Sequence, residues 1–259
     1  MDITFINPGP DDMIRQIMEF QTETESGFWS EPLYHFYPQL DRSHADSLPF
    51  PERKAYIERV MREVYAQQET LINEKVARYR NHWLACKDQI TCALSDAFGI
   101  DCENLFNDMV CYVSLNPIEP RFLTERCYCT FYLNSERGAI GSGIHEIIHF
   151  VWFYVWNRVF GDSYEEYERP SLKWILSEMV VESVMQDPRL SSINPYFPRE
   201  NGGCVYPYFF DMVVDGTPIL DTLEAMYANR SIEDFMRDSY SYCQLYERQI
   251  REHIQRSEN

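Results

Sequence analysis

Basic residues are scarce in this chain, and cysteines at Cys-x-x-Cys spacing are absent. Lysine and arginine number 23 against 41 aspartates and glutamates, a formal charge of -18. An excess of that sign opposes non-specific binding to nucleic acid or to anionic lipid, so no nucleic-acid or membrane partner is expected. The most apolar stretch, 144–160, is shorter than a bilayer span and carries His145, Glu146, His149, Asn157 and Arg158, which fits a buried helix rather than a membrane-spanning one. Met1 to Pro10 shows no basic segment followed by an apolar run and a small-residue cleavage site, so export is not expected and the setting reads as cytoplasmic. The eight cysteines, Cys86, Cys92, Cys102, Cys111, Cys127, Cys129, Cys204 and Cys243, accordingly read as reduced thiols. Low-complexity tracts and internal repeats are also missing, and 259 residues suffice to bury a core without crosslinks.

What is present is a mostly helical pattern with a small strand-bearing centre. Met13, Ile17 and Phe20 recur at helical spacing behind Asp11 and Asp12, predicting a helix from Pro10 to about Gln21. Residues 22–50 have no clear period and are expected to wrap over the surface. From Pro51 to Phe98 the chain is rich in Glu, Lys, Arg, Ala and Gln, with Ile57, Val60, Met61, Val64 and Leu71 on one stripe, predicting one long helix or a helical pair. Short runs dense in Val, Tyr, Phe, Thr and Cys at 109–114 and 127–133 are the expected strands. Gly138 to Gly143 lacks the Gly-Lys-Ser/Thr ending of a phosphate loop and reads as the lead-in to an apolar helix from Ile144. After an acidic connection at 164–169, Pro170 is expected to open a helix running to Asp187, and helices at 219–228 and 232–254 close the chain. The fold class is α+β and predominantly helical, one domain over 1–259. It divides into an N-terminal helical region (1–107), a central core (108–190) and a C-terminal helical region (191–259).

The chemistry concentrates in that core. His145-Glu146-Ile147-Ile148-His149 lies in a segment apolar on nearly every side, so its polar side chains need partners worth several kcal/mol, roughly, to be buried. His145 and His149 project from one helix face a turn apart, the separation at which two imidazoles reach one zinc ion, and Glu146 can reach a zinc-bound water as general base. A catalytic zinc needs a third protein ligand and an open position. The next helix offers Glu178 and Glu182, four apart on one face of a segment otherwise built from Leu172, Trp174, Ile175, Leu176, Met179, Val180, Val181 and Val184. Glu178 is the expected ligand. Glu182 is expected one shell out, accepting a hydrogen bond from the free nitrogen of a ligand histidine; the exchanged roles are the alternative.

His145-Glu146-x-x-His149 followed by Glu178-x-x-x-Glu182 resembles the gluzincin group of zinc metallopeptidases, and the short span looks most like the compact minigluzincin type. The resemblance covers about 108–186. It departs at Ser177, where Asn is frequent, and at Glu182, where Asp is usual. Trp152 and Val155 stand where a metzincin has its glycine and third histidine. The resemblance implies a zincin-like core with a small sheet and two metal-binding helices. It implies zinc at His145, His149 and Glu178, Glu146 as general base, and an edge strand at 127–133 pairing with a peptide or protein substrate. A donor to the tetrahedral oxyanion is implied too, for which Tyr206 or Tyr208 could serve. The alternative is a non-catalytic zinc-stabilised interaction protein.

Overall fold

In chain order the elements are β1 (Ile3–Ile6), α1 (Pro10–Glu19), α2 (Gly27–Phe36), α3 (Arg42–Ser47), α4 (Phe50–Phe98), α5 (Cys102–Leu105), β2 (Met109–Ser114), β3 (Arg121–Phe122) and β4 (Cys127–Phe131). They continue with α6 (Glu136–Phe160), α7 (Leu172–Met185), α8 (Pro188–Ser191), α9 (Pro207–Phe210), β5 (Val213–Val214), β6 (Thr217–Pro218), α10 (Ile219–Ala228), α11 (Ile232–Leu245) and α12 (Glu247–Glu258). This is a computed structural model, and it describes residues 1–21, 27–162, 167–194, 203–228 and 230–258. The chain is mostly helical with a small sheet, as the composition of its apolar periods predicts.

The main sheet has four strands in the order β1-β2-β4-β3. β1 runs parallel to β2 and β2 parallel to β4, while β3 returns antiparallel with Arg121 opposite Tyr128 and Phe122 opposite Cys127. Every residue of β4 is buried, whereas β1 alternates buried Ile3 and Phe5 with exposed Thr4 and Ile6. β4 is therefore an interior strand covered on both faces, and β1 turns one face outward. The expectation that 127–133 forms the edge strand is corrected here: β3 lies outside β4, and the Cys129 N–H donates to the Pro120 carbonyl at 2.8 Å. A two-residue strand carries too little pattern to be seen in the sequence.

α4 is one uninterrupted 49-residue helix that packs along β1, β2 and α6. Tyr79, buried in its middle, donates toward the carbonyls of Phe131, Tyr132 and Asn134 and so ties the helix to the end of β4. α6 begins earlier than its apolar run suggests. Ser135 caps it, accepting from the Gly138 N–H at 3.0 Å, and the glycines read as a lead-in form its first two turns. They serve close packing: a Cβ on Gly143 would stand 2.9 Å from the Tyr128 hydroxyl of β4. α7 starts after Pro170, at Leu172, because Ser171 caps it through the Trp174 N–H. The expected helix at 232–254 is two helices, α11 and α12, meeting at Tyr246. Of the 22–50 segment, residues 22–26 lie outside the described residues, and the remainder folds mainly as α2 and α3 rather than as an aperiodic wrap. Positions 164–166 of the acidic connection likewise lie outside. No described helix is long and apolar enough to cross a membrane.

Candidate metal centre

The site sits where α6, α7 and β3 meet. α6 and α7 are buried almost all round because nearly every turn carries Ile, Val, Trp, Phe, Leu or Met, and within that interior His145, Glu146, His149 and Glu178 face one another. α6 supplies His145, Glu146 and His149, whose ligand atoms lie within 4.8 Å of one another. The Nε2 atoms of His145 and His149 face each other at 3.1 Å. From α7, Glu178 brings Oε1 to 3.6 Å from His149 Nε2 and Oε2 to 3.8 Å from His145 Nε2, with only 3% of its side chain exposed.

Those separations test whether the residues suit zinc. Ligands at zinc's usual ~2.0–2.1 Å in a tetrahedron stand about 3.3 Å apart. The two nitrogens stand close to that spacing, Glu178 presents a different oxygen to each of them somewhat beyond it, and two imidazoles with one carboxylate are a donor set zinc takes with a fourth position left open. Glu146 follows His145 directly and holds its Oε1 3.8 Å from His145 Nε2. Glu146 therefore stands beside the ligand cluster, where Arg121 contacts both its carboxylate and that of Glu178. The four-residue spacing alone could not settle whether Glu178 or Glu182 turns inward; the distances bring Glu178 to the histidines.

Burial and neighbouring charge set the protonation states. Burial lowers the pKa of His149 far below the ordinary histidine value, helped by the Arg121 cation, so its imidazole is neutral and able to ligate. For Glu178 burial pushes upward, but the Arg121 cation and the neighbouring His145 prevail and hold the carboxyl well below the usual range. Burial raises Glu146 despite opposition from His145 and Arg121, the direction a proton acceptor working near neutrality needs. His145 is raised: the Glu178 and Glu146 carboxylates outweigh the burial that opposes them.

Arg121 is the residue that sequence reasoning missed. Its Nη2 donates to Glu178 Oε1 at 2.9 Å and its Nη1 to Glu146 Oε2 at 3.5 Å, with 14% of the side chain exposed. No periodicity or motif marks it, because its element is two residues long. Its position is fixed from Glu119, whose φ is 56° and whose Oε1 accepts from Thr130 Oγ1, the Phe131 N–H, Asn134 Nδ2 and Ser142 Oγ at 2.7 to 3.0 Å. One buried carboxylate thus pins the segment leading into β3 to both β4 and α6.

The remaining expectations divide. Glu182 is fully buried but turns to the other side: its described partners are the Cys204 N–H at 3.3 Å, Cys204 Sγ at 3.2 Å and Gln186 Nε2 at 3.3 Å. The expected hydrogen bond from a ligand histidine is not among these contacts, and His149 Nδ1 is buried with no hydrogen-bond partner among the described residues. Tyr206 lies close enough to feel Glu178, Arg121 and Glu146; burial first, then the Glu178 charge, raises its pKa well above the tyrosine value. Its ring stacks on Tyr208 at 5.4 Å and tilts against Trp174 at 5.9 Å. The eight cysteines are free thiols.

No protein family, curated protein or solved structure matches this chain. The reading of the site rests on its residues.

Proposed function

We propose that the chain is a zinc-dependent peptidase of gluzincin-like design, with zinc held by His145, His149 and Glu178. The observation that carries this reading is the approach of the two histidine Nε2 atoms and the Glu178 carboxylate to tetrahedral-edge spacing inside an apolar interior. A zincin-like core over 108–190, a peptide or protein substrate and a cytoplasmic setting belong to the same proposal.

When bound, zinc supplies Lewis acidity that polarises a carbonyl oxygen and makes water a stronger acid. Glu146 takes a proton from the attacking water at its carboxylate. As the C–N bond breaks, the same proton passes to the leaving amine nitrogen, and the water oxygen stays with its remaining proton on the new carboxyl group. The apolar shell of α6 and α7 restricts bulk water at the site, which strengthens each charge interaction there. Tyr206, within electrostatic reach of Glu146 and Glu178, is the candidate donor to the developing oxyanion.

Elemental analysis of folded wild type beside His149→Ala and Glu178→Ala tests the ligand set: about one zinc per chain is expected in wild type, and neither variant should retain it. Peptide hydrolysis is then measured for Glu146→Gln, where loss of turnover with zinc retained is expected. Folded wild type without zinc, or an unimpaired Glu146→Gln, sinks the proposal. Chelation separates it from a purely structural zinc site, which would lose its helical signal with the metal.

A further inference from the structure

We infer that Arg121 is a built-in counter-cation that limits how tightly the site holds its metal, making occupancy exchangeable. The inference rests on the zinc reading above and adds to it a residue that neither motif nor resemblance contains. Glu178 Oε1 stands 2.9 Å from Arg121 Nη2 and 3.6 Å from His149 Nε2. One oxygen thus faces both the guanidinium and a ligand nitrogen, and a divalent ion held between the histidines shares that carboxylate with an arginine.

The charge balance points the same way. Glu146 and Glu178 bring two negative charges, and Arg121 cancels one of them. A divalent ion entering this cluster leaves it at a formal +1, where the two carboxylates alone would be brought to zero. Like charges sharing one buried carboxylate oppose each other strongly because little solvent intervenes.

Arg121 is also poorly able to leave. Its backbone pairs with Tyr128 in the β3–β4 ladder, the preceding Pro120 carbonyl accepts from Cys129, and Glu119 is held by four donors from β4, its following turn and α6. A surface arginine would swing into solvent as the metal arrives; this one has only 14% of its side chain exposed and lies against both carboxylates. Arginine suits the role because its guanidinium spans two carboxylates and stays charged.

The test uses the full chain as wild type, Arg121→Met and Arg121→Lys. Zinc affinity is measured by competition with a chromophoric chelator, and the melting temperature is measured with excess zinc and with EDTA. Arg121→Met is expected to bind zinc at least tenfold tighter and to show a wider gap between the two melting temperatures. Arg121→Lys, which keeps the charge, should stay near wild type in both. A residue with only a packing role would lower both melting temperatures alike and leave the gap unchanged, and that result overturns the inference, as does unchanged or weaker zinc binding by folded Arg121→Met. If Arg121→Met does not fold, Arg121→Gln, a donor without charge, is held to the same criteria. Folded wild type that takes up no zinc refutes the metal site itself, a failure distinct from that of Arg121.

Discussion

Glu119→Ala is the substitution whose cost the structure lets one work out most directly. The Glu119 carboxylate is buried, which raises its pKa, and its Oε1 accepts from one backbone N–H, one side-chain amide and two hydroxyls. The Thr130 and Ser142 hydroxyls can rotate to other acceptors, and Ser142 already lies 3.3 Å from the Ala139 carbonyl. The Phe131 N–H and the Asn134 amide have no such freedom. Leaving each unsatisfied costs about 1–3 kcal/mol, and relief of the carboxylate's own burial offsets part of that, so a net loss of about 3 kcal/mol is expected. With a urea m-value of roughly 2–3 kcal/mol/M, the unfolding midpoint should fall by about 1 M or somewhat more. Glu119→Gln keeps an acceptor oxygen without the charge and should lose about half as much. A Glu119→Ala protein within about 0.5 kcal/mol of wild type, at unchanged m, would refute the claim that this carboxylate fastens the β3 segment to β4 and α6.

Gly143→Ala places a methyl 2.9 Å from the Tyr128 hydroxyl, so Tyr128 must shift; a loss of about 1–3 kcal/mol in urea unfolding is expected, and none if the helix and sheet have slack there. Burial tends to raise the Asp187 carboxyl, but Arg189 and Tyr227 prevail and hold it below the ordinary aspartate value. Its stabilising contribution is therefore complete above about pH 5 and lost as pH falls below 4 through the depressed folded-state value. Asp187→Asn should flatten the wild-type decline in melting temperature between pH 5 and 3, and parallel declines would contradict this assignment.

The legible parts of the fold are those with long periods. α4, α6, α7 and α10 announce themselves because apolar residues repeat over many turns, and β2 and β4 because β-branched and aromatic residues cluster between turn signals. β1 was hidden by its length, four residues at the start of the chain, and β3 by being shorter still. The glycines at 138–143 misled in an instructive way: local propensity suggests a break, but close approach to Tyr128 rewards the missing side chain inside a helix. At the site, His145, Glu146 and His149 are readable because their spacing is a property of a single helix. Glu178 is readable as a buried carboxylate. Its choice over Glu182, the Cys204 contacts of Glu182 and the whole role of Arg121 depend on how separate elements meet, which no local pattern encodes.

β3 has a consequence for the molecule's behaviour at high concentration. A sheet edge recruits strands from other chains in proportion to its length, flatness and lack of charge. Here the outer strand beyond β4 offers only Arg121 and Phe122, about 7 Å of extended backbone, and one of the two is a charged residue turned inward. A strand from a second copy would find almost nothing to extend on that side, so the exposed apolar alternation that builds fibrils has no template where the sheet borders its chemistry.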